Sequence, residues 1–315
     1  MTRSVAFWSG ACALSAAALL AAAPVIADGR QGRAVAKPAP SAGKVAKRES
    51  AAKRVDSDVA AVGGLEIKSS AALVVDLDDG RTVYAKNIQS ITPIASITKL
   101  MTAMVVLDAG LALAETLYIE AADLDLVKHT NSRLRVGTGL PRRDMLRLAL
   151  MSSENRAAAA LGRAYPGGAE AFIAAMNRKA VELGMWSTRF VDATGLSSEN
   201  VSTAEDLVKM VRSAYQYPLI REFTTMPAHD VETVAGRSLQ FSNSNRLVKN
   251  PTWEIGLSKT GYISEAGRCL VMEARIATRP VVIVLLDSWG KFTRIGDANR
   301  IKRWLESRVG RKPVG

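Results

Sequence analysis

The stretch Pro93-Ile94-Ala95-Ser96-Ile97-Thr98-Lys99-Leu100-Met101-Thr102-Ala103 sets a hydroxyl and an amine three residues apart, where an apolar helix should begin. Residues at i and i+3 share a helix face, so the amine of Lys99 can reach the hydroxyl of Ser96 and take its proton. The ordinary alternative is an N-cap serine. A capping box, however, wants Glu or Gln three residues after the cap, and a cation in the first turn opposes the helix dipole. Lys99 breaks that local rule, and function concentrates at such positions. Ser96 is the candidate nucleophile and Lys99 its candidate base.

The spacing alone is cheap. Ser41-Ala42-Gly43-Lys44, Ser50-Ala51-Ala52-Lys53 and Ser288-Trp289-Gly290-Lys291 repeat it. The first two lie in polar, Ala/Lys-rich sequence with no core to hold a geometry, and the third follows the apolar run Val281–Leu286 as a strand end. Only Ser96 opens a long apolar helix, running through Leu100, Met101, Met104, Val105 and Leu107 to a stop at Gly110.

Before Ser96, Ala71–Leu77, the turn Asp78-Asp79-Gly80 and Thr82–Ala85 read as a β-hairpin. After it, the section from Arg142 to about Tyr217 is mostly helical. Arg143–Met151 and Arg156–Tyr165 are separated by the polar step Ser152-Ser153-Glu154-Asn155, and Ala169–Leu183 follows Pro166-Gly167-Gly168. The pattern then switches to strands at Trp253–Ile263, Arg268–Ala277 and Val281–Asp287. A last amphipathic helix, Thr293–Arg308, is expected to bury Ile295, Ile301, Trp304 and Leu305. Strands at both ends around a helical insert predict an α+β fold, an antiparallel sheet flanked by terminal helices with an α-helical subdomain beside it.

The 315 residues suffice for a substantial core. Residues 1–27 read as a secretory signal: Arg3 gives the positive start, an Ala/Leu-rich run follows, and Val25-Ile26-Ala27 offers small residues before a cut. A membrane anchor is the competing reading of this leader. Ser9 stands where a lipoprotein pattern ahead of Cys12 would have Leu. Export places the mature chain in the periplasm, with residues 28–62 as a basic linker, 63–309 as the folded domain and 310–315 as a tail. Cys269 is then the one cysteine left, so no internal disulfide can form, and its setting in a strand makes it a core residue.

The net charge of +12 invites a nucleic-acid reading. Residues 28–60 hold Arg30, Arg33, Lys37, Lys44, Lys47, Arg48, Lys53 and Arg54 against Asp28, Glu49, Asp56 and Asp58, a net of +4. The charge beyond linker and leader is spread out rather than clustered, and no aromatic residues interleave as a stacking platform. The linker reads as a tether attracted to anionic membrane or wall polymer, or as plain solvated chain.

A serine–lysine enzyme also needs a proton relay toward the leaving group and donors for substrate and oxyanion. Ser153-Glu154-Asn155, at the break between two helices, can point a hydroxyl and an amide into a cleft. Lys259-Thr260-Gly261 lies on an expected edge strand, where Gly261 admits a close backbone approach. Ser198-Glu199-Asn200 repeats the first tripeptide in a polar loop. Ser153 instead is expected to cap an Ala-rich helix that would hold it.

Taken in order, Ser-x-x-Lys, Ser-x-Asn and Lys-Thr-Gly resemble the signature of penicillin-binding proteins and serine β-lactamases. The longer stretches Pro93–Ala103, Leu150–Ala158 and Lys259–Tyr262 resemble small D-alanyl-D-alanine endopeptidases of the penicillin-binding-protein-7 type. Thr194-Gly195-Leu196 and Ser202–Leu207 also look like D-alanyl-D-alanine peptidases, and the resemblance spans about residues 65–307. It implies a β-lactamase/transpeptidase-like fold and acyl transfer without a cofactor. Ser96 would be acylated, Lys99 would activate it, and Ser153 would relay a proton to the leaving amine. Asn155, Lys259, Thr260 and Gly261 would hold substrate, with the backbone N–H groups of Ser96 and Tyr262 as the oxyanion hole. The implied partners are peptidoglycan peptide stems and, as covalent inhibitors, β-lactams. With little chain after Trp304-Leu305 for a second domain or anchor, cleavage of D-alanyl–diaminopimelate cross-links is expected ahead of carboxypeptidase action.

Rivals are weaker. His129 and His229 lack metal-ligand spacing, and Gly137-Thr138-Gly139 lacks the third glycine of a dinucleotide fingerprint. No acidic deacylation loop stands out between the second and third motifs, so slow rather than fast lactam turnover is expected. A non-catalytic penicillin-binding or wall-binding module remains the alternative of another class, and the intact Lys99, Ser153 and Lys259 argue against it.

Overall fold

The computed structural model describes residues 64–126 and 128–309; the expected leader, linker and tail, with Ser41 and Ser50, lie outside the described residues. The expected hairpin forms as strands β1 (Ala71–Asp76) and β2 (Thr82–Lys86). A short strand β3 (Thr92–Pro93) and a 3₁₀ turn at Ala95–Thr98 lead into helix α1 (Lys99–Asp108). Strands β4 (Thr116–Tyr118) and β5 (Gly139–Pro141) pair with each other. Helices α2 (Arg142–Met151), α3 (Asn155–Arg163) and α4 (Gly168–Glu182) follow. Next come strand β6 (Val201–Ser202) and helices α5 (Ala204–Ala214) and α6 (Pro218–Thr225). A small hairpin, β7 (Ala228–Glu232) and β8 (Ser238–Ser242), precedes the long strands β9 (Glu254–Ile263), β10 (Gly267–Ile276) and β11 (Arg279–Ser288). Helix α7 (Thr293–Val309) ends the described chain.

The main sheet is antiparallel, in the order β2-β1-β11-β10-β9. Its two terminal portions meet where Leu73 pairs with Val284, and β9 is left as an edge. Side chains alternate between the faces of a strand. Leu73, Val75, Val271, Val282 and Val284 face the helical subdomain, while Val74, Leu270, Met272, Ile283 and Leu285 pack with Ala298 and Ile301 of α7. Of the other α7 residues expected inside, Ile295, Trp304 and Leu305 are half-buried against this second core. Covering on both faces explains why these strands read as unbroken apolar runs.

Helix α1 is buried from Lys99 to Val106 and packs against α2 to α6 as the axis of the helical subdomain. It is apolar all round, as a central helix must be, and it ends at Ala109 before Gly110, which takes φ +62°. The helical section continues past its expected end at Tyr217. Pro218 occupies the first turn of α6, where its missing N–H leaves no bond unmade. The β7–β8 hairpin gives little sequence signal because Val231 and Phe241 alone are its buried apolar anchors.

Candidate active site

Ser96 lies in the 3₁₀ turn rather than in α1 itself, and that turn brings its Oγ to 2.8 Å from Lys99 Nζ. Lys99 is wholly buried. Its amine has two further neighbours, Asn155 Oδ1 at 2.7 Å and the Thr194 carbonyl oxygen at 2.6 Å. Burial lowers the Lys99 ammonium to about 7, against the opposing pull of the Asp192 and Glu154 carboxylates. A neutral amine has two N–H donors and one lone pair. The carbonyl oxygens of Asn155 and Thr194 can only accept, so they take both donors. The lone pair is left facing Ser96, whose hydroxyl can give a proton.

The second tripeptide sits where α2 breaks into α3. Ser153 adopts φ +64°, a left-handed conformation that a side chain disfavours. The expectation that Ser153 caps α3 is corrected here: Glu154 is the cap, accepting from the Arg156 N–H at 3.3 Å. Because Glu154 serves the helix, the Ser153 hydroxyl stays available to Lys259, whose Nζ lies 2.8 Å away. Lys259 Nζ also donates to its neighbour's carbonyl, Thr260 O, at 3.0 Å. Burial first, then the charges of Lys99 and Arg294, push the Lys259 ammonium well below its ordinary range. The Thr260 hydroxyl donates to Ser244 Oγ at 2.7 Å, and the Ser244 N–H donates to Met151 O at 2.9 Å, which ties the edge strand to the α2 end.

Two glycines let these pieces meet. A Cβ on Gly261 would lie 2.9 Å from Ile94 O and 3.2 Å from Ser96 N, so the bare backbone of β9 rests against the turn that carries the serine. The close approach read from the sequence at Gly261 is thus made by the chain itself. Gly195, at φ +79°, is tighter still: its Cβ would fall 1.9 Å from Ala95 O.

Sequence reasoning missed the residues that fasten the site from behind. Asp192 Oδ1 accepts from the N–H of Thr194 and of Gly195, each at 2.6 Å, and Oδ2 from Ser197 N–H at 2.9 Å. This folds the loop so that Thr194 O points at Lys99. Asn200, discarded as part of a repeated tripeptide, is fully buried and spans the loop and the serine turn: Nδ2 donates to Asp192 O at 3.0 Å and to Thr98 Oγ1 at 3.1 Å. Thr130 Oγ1 accepts from Asn155 Nδ2 at 3.0 Å. Ser288 is placed elsewhere, buried 2.7 Å from Ser69 Oγ, which in turn donates to Asp297 of α7. Cys269 is buried in β10, and burial pushes its thiol up to about 11, leaving no thiolate for chemistry near neutrality.

An alcohol 2.8 Å from a buried amine whose pKa burial lowers, beside the edge strand of a sheet, is the apparatus of a serine peptidase that works without histidine. The family model of the D-alanyl-D-alanine carboxypeptidases, peptidase S11, matches residues 56–290, and the chain belongs to that family. It is 52% identical over 246 residues to the D-alanyl-D-alanine endopeptidase of Pseudomonas aeruginosa, covering 77% of this chain and 78% of that protein. The fold is similar to the crystal structure of the Streptomyces K15 DD-transpeptidase, with a TM-score of 0.70 at 29% identity over 76% of this chain and 97% of the other. It is also similar to penicillin-binding protein D2 of Listeria monocytogenes in its ampicillin-bound form, with a TM-score of 0.65 at 30% identity over 76% and 98%.

Proposed function

We infer that the chain is a serine D,D-endopeptidase that hydrolyses D-alanyl–diaminopimelate cross-links of peptidoglycan through an acyl-serine intermediate. The observation that carries this is the position of the buried Lys99 Nζ, 2.8 Å from Ser96 Oγ with two obligate acceptors, Asn155 Oδ1 and Thr194 O, as its other partners. Neutral Lys99 takes the Ser96 proton as Oγ attacks the D-alanyl carbonyl. The oxyanion forms at the Ser96 turn, where helix-start N–H groups and the Tyr262 N–H on the adjoining strand would receive it. Ser153 gives its proton to the departing diaminopimelate amine and takes up in its place the proton that Lys99 received from Ser96, so that Lys99 is neutral again once the ester has formed. The amide C–N bond breaks, and the acyl group remains on Ser96 as an ester. Water, deprotonated by Lys99, then releases the carboxylate and returns the serine.

Lys259 and Thr260 would hold the carboxylate of the leaving residue. An incoming carboxylate would restore the charge that burial discourages on Lys259. β-Lactams enter as mimics of the D-alanyl amide and stay as slowly cleared esters. The leader read in residues 1–27 supports action in the periplasm, where the cross-links lie.

The test combines labelling by a fluorescent penicillin with digestion of purified dimeric muropeptides, read by mass spectrometry. Wild type should label and convert dimers to monomers, and Ser96→Ala should do neither. Labelling without conversion, with release of terminal D-alanine from monomeric pentapeptide instead, would establish the carboxypeptidase alternative. Labelling without any product would leave a binding module.

A further inference from the structure

Beside the cleft lies a surface that neither the Ser96 site nor the cores use. Lys259 and Gly261 face Ser153 and the Ser96 turn, so the intervening alternation turns Tyr262 to the outer, α7 side of the edge strand. Tyr262 is 55% exposed, Phe292 53% and Trp289 97%. Arg268 pairs with Tyr262 across β9–β10 and stacks its guanidinium 4.3 Å over that ring. Ser288 pairs with Arg268 at the end of β11, and the chain runs on from it through the exposed Trp289 and Lys291 to Phe292. The Arg246 guanidinium lies 5.4 Å from the Phe292 ring and Lys291 Nζ lies 5.6 Å from it. Arg294, in the first turn of α7, donates to Gly261 O at 3.3 Å and fastens this ledge to the strand that carries Lys259.

Among the described residues, Arg246, Arg268, Lys291 and Arg294 form no ion pair with a carboxylate. Asp287, the acid nearest in sequence to Trp289, turns toward Gly267. Three exposed rings, two of them lying against cations without counter-charges and the third an indole left almost wholly in water two residues before Lys291, mark an interaction surface. Its chemistry suits a ligand with flat apolar ring faces and repeated carboxylates: rings stack on indole and phenyl, and carboxylates meet guanidinium groups.

We propose that this ledge is a docking surface for the glycan–peptide polymer of peptidoglycan, outside the catalytic groove, that holds the enzyme on its insoluble substrate. The proposal rests on the endopeptidase reading above. An anionic lipid surface would also attract Trp and cations. A bilayer laid on this face, however, would crowd the cleft one residue away at Gly261, whereas a polymer strand can pass from ledge to cleft.

The test uses Trp289→Ala with Lys291→Ala, and separately Arg246→Glu, each as full chain. Binding to purified sacculi is measured in a Ser96→Ala background. Each ledge variant should weaken it about tenfold, the loss of one stacked ring or charge-assisted contact. Cleavage of sacculi by the active forms should fall in parallel. Hydrolysis of a soluble sugar-free cross-linked peptide dimer should stay within about twofold of wild type, and Trp289→Tyr should restore sacculus binding. Unchanged sacculus binding overturns the proposal, as does an equal loss on the soluble dimer. Ledge-dependent binding to phosphatidylglycerol vesicles with sacculus binding intact overturns it in favour of a membrane. Failure of the endopeptidase reading would appear separately, as wild type that leaves the soluble dimer uncut.

Discussion

Asn155 Nδ2 donates to Thr130 Oγ1 at 3.0 Å, and this contact holds the far end of an amide whose Oδ1 lies 2.7 Å from Lys99 Nζ. The base is therefore aimed through a residue that bonds to Asn155 and not to Lys99 itself. Thr130→Val keeps the shape and removes the acceptor. It should slow acylation by penicillin about tenfold, the value of one hydrogen bond of about 1–1.5 kcal/mol. Removing the amide itself in Asn155→Ala should cost about a hundredfold or more, on the scale of a catalytic polar contact. Stopped-flow acylation and thermal melting check this pair. A Thr130→Val enzyme that melts like wild type and acylates at the wild-type rate would remove Thr130 from the apparatus.

The Lys99 ammonium, lowered to about 7, fixes an acid limb for the reaction. The neutral amine is the active form, so its fraction falls as pH drops through 7 and approaches a tenfold loss per unit below that. Above pH 8 the acylation rate should level off. Lys99→Met should abolish the limb together with the activity. An acylation rate that stays flat between pH 5 and 8, or that survives Lys99→Met, would remove Lys99 as the base.

The sequence disclosed the parts of this site that break local rules and hid those that obey them. Lys99 at a helix start is anomalous, and Lys259-Thr260-Gly261 occurs on a strand otherwise rich in apolar residues, so both stand out. Asp192 and Asn200 are ordinary turn residues by composition. Their importance comes from three-dimensional closure, with Asn200 reaching Thr98 across 102 residues of sequence. The fold was legible for the same reason in reverse: β1, β10 and β11 are apolar on both faces and α1 is apolar all round, so burial writes itself into the sequence. The β7–β8 hairpin, with two buried apolar anchors, leaves no such trace.

Gly195 couples loop and nucleophile sterically. At φ +79° any side chain carries about 1–2 kcal/mol of backbone strain, and here its Cβ would also enter the Ala95 carbonyl at 1.9 Å. That atom belongs to the backbone next to Ser96 and cannot swing aside. Gly195→Ala should thus lower acylation at least a hundredfold, displacing Ser96 from Lys99, with a visible but smaller loss of thermal stability. Gly110→Ala, also at positive φ but with nothing within 4 Å of the added atom, is the control. It should lose stability by the backbone strain alone and keep its acylation rate. Equal acylation by the two variants would show that the Ser96 turn tolerates the displacement.

Glu273 is a buried carboxyl on β10 that the reaction does not use. A Cβ at Gly256 would lie 2.1 Å from its Oε2, so the carboxyl fills the space that the glycine leaves open. Burial raises Glu273 from 4.5 to about 6, Glu254 adds to the rise, and Arg275, Arg221 and the Gly256 N–H oppose it. The folded state holds this proton more tightly than the unfolded chain does. Its stabilising contribution is therefore complete below pH 4.5 and is lost as pH rises through 6, and about 1–2 kcal/mol is forgone above that. Gln at this position keeps the shape and an acceptor for Gly256 without a charge to bury. Urea unfolding of Glu273→Gln and wild type should agree near pH 4.5 and separate by that amount at pH 8, with the variant more stable. A difference that stays constant between those pH values would mean that Glu273 ionises in the folded protein as freely as in the unfolded chain, and that the space beside Gly256 is wet.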